Sequence, residues 1–241
     1  MENINDRTDA IELMKKVFSF IEGNKLTESS FNKLTTECTN ELNNNTLLGL
    51  FKENKFDTLQ YPRLNFTIGC DKQGNKIQSD IDKLESILDK NISQLTAHVE
   101  KSDDPFLKLL YSIVWKQGDL TKLDSIINGI VEKPNKIATG TVFNAFGQHL
   151  RDRNNPIIDQ HVVRAYLAIN ATKAPIHNTF ILTKILKIES SFIDKNKEKI
   201  KHYQEWLKAL SESKTNKGNA DFFYYADQIL FTLGKTIKLK K

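Results

Sequence analysis

Apolar residues recur along this chain at intervals of three and four, the period of a helix buried along one face. Ile11, Met14, Phe18 and Ile21 make one such stripe in "TDAIELMKKVFSFIEG", with Thr8 as its predicted N-cap. "TESSFNKLTTECTNELNNN" follows, opened by Thr27 and Ser30 as a capping region and closed by asparagines 43–45. Helical period returns over 79–100, over 103–115 with Pro105 in the first turn, and over 118–132. It continues over 139–150, 159–170, 174–213 and 219–235, the last strongly aromatic. One stretch breaks the period. Leu64, Phe66 and Ile68 alternate with polar residues before the turn "DKQGNK", which predicts a small β-hairpin near 62–78. The expected fold class is all-α with that one exception.

Length changes the picture little: 241 residues suit one helical unit with a real core. Two lobes are expected, about 1–100 plus the C-terminal helices, and about 103–173. A hydrophobic share of 39% and a charged share of 27% are those of a globular protein. No apolar run reaches membrane-spanning length, and the N-terminus lacks the basic-then-apolar order of a secretory signal. Cys38 and Cys70 are too few for a disulfide framework, and no zinc spacing occurs. These features predict a cytoplasmic monomer with no membrane contact and no cofactor.

Charge adds a direction. The formal net charge is +5, and the positive excess lies late, in "DKNKEKIKHYQEWLK" (194–208) and "GKTIKLKK" (234–241). Such runs suit a phosphate backbone, or equally a solvated helix face.

The densest chemistry is in "NNPIIDQHVVRAYLAI" (154–169). Pro156 ends the preceding helix, and Asp159 falls at the N-cap or first turn of the next. A carboxylate there is favoured by free N–H groups and by the positive end of the helix dipole. Gln160 and His161 follow, and Arg164 shares nearly one face with His161. Gln148, His149, Arg151 and Arg153 end the helix before. Two readings stand at this point: a well-made helix cap, or the working end of an active site.

"PIIDQHVVRAY" resembles the segment that brings the catalytic aspartate to a helix start in the helix-hairpin-helix DNA glycosylase superfamily. "GTVFNAFGQHL" is similar to the helix before it in 8-oxoguanine glycosylases of archaeal type, and "YYADQILFTLGK" to a closing helix of related members. The likeness spans roughly 105–170 and 219–235. It implies a helix-hairpin-helix fold, DNA containing a modified base as the partner, and Asp159 as the catalytic carboxylate. Where bifunctional members carry a lysine nucleophile, this chain reads "ATGTVF"; Lys136 lies one turn earlier and Lys133 further off. The superfamily's Gly-x-Gly phosphate hairpin is also missing, leaving "EKPNKIATGT" as the candidate loop.

The resemblance therefore implies a monofunctional enzyme that hydrolyses the N-glycosidic bond of a flipped base and leaves an abasic site. An ionised Asp159 would stabilise positive charge developing on the sugar and activate the attacking water. Tyr111, Trp115 and Gln117, with Gln148, His149, Gln160, His161 and the aromatics Phe222–Tyr225, are the candidate base pocket. Lys133, Lys136, Thr139, Arg151, Arg153 and Arg164 are the candidate DNA contacts. The polar corner suits a bulky hydroxylated base, and antiphage glycosylases acting on hypermodified cytosines are a group the chain resembles. Two other classes compete. His149, Asp152, Asp159 and His161 offer donors for a metal-dependent nuclease, and a non-catalytic helical DNA- or protein-binding module needs none of this chemistry.

Overall fold

A computed structural model describes residues 5–40, 64, 66–71, 73–88, 91–118, 120–133, 140–172 and 184–237, and these are predominantly helical. The helices are α1 (Asn5–Gly23), α2 (Glu28–Asn40), α3 (Gln78–Leu88), α4 (Asn91–Lys101), α5 (Pro105–Gln117) and α6 (Leu120–Ile130). They continue with α7 (Thr141–Arg151), α8 (Gln160–Thr172), α9 (Ser190–Lys195), α10 (Lys197–Ser211) and α11 (Phe222–Thr236). The all-α expectation holds among the described residues. None of these helices is long and apolar enough to cross a membrane.

Local signals explain most of the boundaries. Thr27 and Ser30 close a reciprocal cap at the start of α2: each backbone N–H donates to the other's hydroxyl, at 2.8 and 3.2 Å. At α5, Asp104 caps through Oδ1, Pro105 takes N1, and Gly118 at φ 73° ends the helix in the left-handed conformation. Thr8 lies inside α1, which begins at Asn5, so it does not cap that helix.

The hairpin near 62–78 is corrected to less than a hairpin. No strand forms among the described residues; a single antiparallel bridge joins Cys70 to Lys76. Asp71 explains the shortfall. Its Oδ1 accepts from the backbone N–H of Gln73 at 2.9 Å and of Asn75 at 2.8 Å, folding the chain back at once. Ile77 then donates to the Gly69 carbonyl, and Gln78 already begins α3, so no length remains for a second strand.

The chain divides into two compact units, 1–64 with 158–241, and 65–157. The boundary at Pro156–Ile158 differs from the expected lobes. It places α3 and α4 with the central helices, and α8 with the terminal ones. In the terminal unit α8 is the centre, packed by α1, α9, α10 and α11. Ile158, Val162, Val163, Ala165, Ala168 and Ile169 are all buried there. Each larger aliphatic contributes about 1.5–3 kcal/mol by leaving water. Gly234 lets α11 approach closely, because a Cβ there would stand 1.9 Å from the carbonyl oxygen of His161. Tyr166, Tyr203 and Trp206 close the other side as a ring cluster, with centroids 5.2–6.3 Å apart.

In the central unit the dominant pair is α6 with α7. Gly129 and Gly147 let their backbones touch: a Cβ on either would lie 2.1 Å from Asn144 O or 2.0 Å from Ile126 O. This is a helix, a short connection, and a tightly crossed second helix. The connection residues 134–139, with Lys136 and Thr139, lie outside the described residues.

Candidate active site

Asp159 is the N-cap of α8. Its Oδ1 accepts from the backbone N–H of His161 at 2.5 Å and of Val162 at 3.3 Å, while its carbonyl accepts from Val163. Buried Pro156 and Ile158 fix the approach, so the carboxylate is positioned by both sides of the turn. The cap reading is thus correct as local structure, and it leaves open what else the carboxylate does.

One turn along, the Arg164 guanidinium donates to His161 Nδ1 at 2.9 Å. A guanidinium has no acceptor, so Nδ1 is unprotonated and the neutral ring carries its proton on Nε2. The same Nη1 donates to Gly234 O at 2.7 Å, and Nη2 donates to the carbonyl of Ile188. Arg164 is fully buried. Burial pushes it down to about 10, against the opposing pull of Asp159 and Glu189. The expected phosphate contact is corrected accordingly: Arg164 is an internal tie between α8, α11 and the 188 turn. The His161 ring meets the edge of Phe231 at 4.9 Å, and Gln160 is half-buried as the first residue of α8.

A second carboxyl belongs to this cluster, and the sequence reading missed it. Asp227 on α11 is only partly exposed; its Oδ1 is sealed from solvent and has no hydrogen-bond partner among the described residues. Burial, and then the negative charge of Asp159, push its carboxyl up to about 8. Asp227 therefore holds its proton at neutral pH. Tyr203 on α10 is fully buried, and burial followed by the charges of Asp227 and Asp159 pushes its hydroxyl upward. A signal for Asp227 was available. It is the one charged residue between Asp221 and Lys235 in an otherwise apolar and aromatic helix, and such a carboxyl needs a reason.

The remaining candidates sit in the central unit. His149 Nδ1 donates to Asn155 O at 2.7 Å, and burial lowers its pKa first, with Arg153 also lowering it. Gln148 donates to Asn144 Oδ1, and its carbonyl accepts from Asn155 Nδ2 at 3.2 Å. Arg151 pairs with Glu132, and Arg153 donates to Phe66 O at 2.6 Å with its guanidinium over the Phe66 ring. Gln148, Arg151 and Arg153 line a polar pocket of about 590 Å³ with Asp71, Asn154 and Asn155. Gln148 and His149 secure the α7–Pro156 connection through Asn155, whereas Arg151 ties α7 to Glu132 and Arg153 ties the connection to Phe66.

Tyr111, Trp115 and Gln117 do not line that pocket. The Tyr111 hydroxyl is hydrogen-bonded to Thr96 at 2.5 Å, while Trp115, 63% exposed, and Gln117 face solvent on α5. Lys133 pairs with Glu85 at 3.3 Å. Phe222 is core, packed edge-on by Phe223 at 5.3 Å. Among the described residues, no three His, Cys, Asp or Glu side chains gather as a possible metal-ligand set. The candidate residues fall in both units: Gln148 to Arg153 belong to the central one, and Asp159 to Arg164, with Asp227, to the terminal one.

No protein family, curated protein or solved structure matches this chain.

Proposed function

We propose that the protein is a monofunctional DNA glycosylase, removing a modified base by hydrolysis and leaving an abasic site. The observation that carries this reading is Asp159, held at a helix start by two backbone N–H groups, while burial and the charge of Asp159 push the Asp227 carboxyl up to about 8. Carboxyl groups pushed to opposite protonation states are the usual means of running acid and base chemistry at one pH. Cleavage of the C1′–N bond leaves positive charge on the sugar, which an ionised Asp159 stabilises while taking a proton from the attacking water. The close α6–α7 pair precedes this aspartate along the chain, in the order the sequence resemblance implies.

α7, "TVFNAFGQHLR", contains no lysine, and Lys133 is engaged with Glu85. That supports water rather than an amine as the nucleophile. Phosphate contacts are assigned to the exposed lysines 197, 199, 201 and 208 of α10. Hypermodified cytosine of phage DNA is the substrate class to test first, and the enzyme would serve antiviral defence in the cytoplasm.

The test uses purified protein in EDTA with duplexes carrying 8-oxoguanine, 7-methylguanine or uracil, and with phage DNA bearing glucosylated hydroxymethylcytosine. Alkali-dependent strand breaks that vanish in Asp159→Asn are expected, with no adduct trapped by borohydride. Absence of breaks on all four DNAs removes the catalytic reading.

A non-catalytic helical binding module is the second reading, and one observation favours it. Phe106, Leu109, Leu110 and Ile113 lie on one face of α5, each 45% exposed or more, as a docking helix would present them.

A further inference from the structure

We propose that the outer face of α5 is the interface of a homodimer, in which two copies of the chain pack antiparallel across a two-fold axis between Leu109 and Leu110. The proposal is independent of the glycosylase reading and replaces the monomer expected from the sequence.

α5 is firmly built but thinly packed. Asp104 caps its start through Oδ1, Pro105 takes the first turn, and Gly118 closes its end at φ 73°. Local chemistry at both ends thus fixes 13 residues as a helix. Eight of them are apolar or aromatic, yet none of the 13 is buried. Tyr111 is tied to Thr96 of α4, and Leu107 and Val114, at helical spacing from it, are half-buried. Phe106, Leu109, Leu110 and Ile113 form a second stripe at i, i+3, i+4 and i+7, and are 45–74% exposed. The stripe holds no charged residue. A continuous apolar face of this kind marks a surface that associates.

Its pattern, charge and size fit a second copy. A two-fold contact sets the same patch against itself, so the patch must be complementary to itself. This stripe has its bulky ends at Phe106 and Ile113 and two leucines at its centre. Turned antiparallel, Phe106 of each copy faces Ile113 of the other, and the leucines meet at the axis. The charges agree with that order. Asp103 and Asp104 stand at the start of α5, and Lys116 lies in its last turn. Parallel packing would bring like charges together, whereas antiparallel packing brings each basic end to an acidic one and opposes the helix dipoles. Covering the stripe and its rim on both copies removes on the order of 1,000 Å² from water, which is where specific interfaces begin.

Sedimentation equilibrium of the full chain tests this from about 1 to about 100 μM, the range in which so small an interface dissociates. Wild type is expected to pass from one copy to two. Leu110→Lys places a charge beside the axis and should weaken association at least about 100-fold. Its melting temperature in dilute solution should remain that of wild type. Orientation is read by oxidising Leu110→Cys and Ile113→Cys. A disulfide needs Cα atoms within about 7 Å. Residue 110 lies beside its own symmetry mate, whereas residue 113 is displaced from its mate by about 10 Å along the helices. Leu110→Cys is therefore expected to give a disulfide-linked dimer, while Ile113→Cys and wild type give none.

Wild type that stays a single copy throughout the range overturns the proposal, as does a dimer indifferent to Leu110→Lys. Linkage of both cysteine variants, or of neither, overturns the antiparallel order on which it rests. A lower melting temperature of Leu110→Lys at every concentration would mean that the chain covers this face itself. Single copies that sediment with phosphatidylserine vesicles, and cease to in Leu110→Lys, would assign the face to a lipid surface instead.

Discussion

The two sides of Pro156 carry much the same residue types and use them differently. Before it stand Gln148, His149, Arg151 and Arg153; after it stand Asp159, Gln160, His161 and Arg164. The first set is half-buried and faces the pocket or the connection it secures, with Arg151 paired to an exposed Glu132. In the second set Asp159, Gln160 and His161 are half-buried too, but Arg164 has no exposure and bonds an imidazole and two carbonyls. Burial decides the outcome. A guanidinium near water is an adjustable tie, whereas the same group in a core is a fixed strut whose removal leaves several acceptors empty.

The sharpest way to break this comparison is to remove Arg164. Arg164→Met keeps the length of the side chain but takes donors from His161 Nδ1, Gly234 O and Ile188 O. We expect a loss of about 2–4 kcal/mol in urea unfolding, below the sum of three hydrogen bonds because the charge no longer has to be buried. A loss under about 0.5 kcal/mol would mean that the inner set is no more structural than the outer one.

Asp227 sharpens the contrast through pH. Its carboxyl is raised in the folded state from 3.8 to about 8. The folded protein therefore binds a proton that the unfolded chain has released throughout that window. Its contribution to stability is complete below the unfolded value and is lost as pH rises to the folded one. Asp227→Asn has no proton to lose. Relative to wild type it should gain up to about 4 kcal/mol between pH 5 and pH 9, about 1.4 kcal/mol for each unit from pH 5 to pH 8. Denaturation of both proteins at pH 5, 7 and 9 reads this directly, and a pH-independent difference would place Asp227 in contact with solvent.

Arg151 gives the smaller counterpart on the outer side. Glu132 is 66% exposed, so the pair forms largely in water and is screened. Arg151→Ala should cost about 0.2–1 kcal/mol, and less at high salt. A loss matching that of Arg164→Met would erase the distinction drawn across Pro156.

The helical fold was readable because apolar periodicity and caps are local. Thr27 with Ser30, Asp104 before Pro105, and Asp159 before Val162 each behave as their spacing indicates. Pairing between helices was not readable. Gly129, Gly147 and Gly234 mark the close crossings, yet a glycine in a helix is also merely a weak helix former until its partner is known. The Asp159 cluster was half legible for the same reason. Asp159, His161 and Arg164 come together because helical spacing brings them together. Asp227 lies 68 residues beyond Asp159, and only packing of α11 on α8 unites the two. Arg164 shows the limit from the other direction: one-dimensional spacing placed it beside His161 correctly but could not tell core from surface.

The smallest expected change in stability separates cap from catalyst. Asn is as good an N-cap as Asp, and its amide oxygen can accept from the same two backbone N–H groups. Asp159→Asn should therefore alter unfolding free energy by less than about 0.5 kcal/mol, while Asp159→Ala loses about 1 kcal/mol. If Asp159 serves only as a cap, the Asn variant keeps every property of the wild type. If it stabilises a sugar cation, the charge is what matters, and the Asn variant keeps its melting temperature while base release disappears. A variant that is fully stable and inert puts the carboxylate's negative charge, rather than its hydrogen bonds, at the centre of the function.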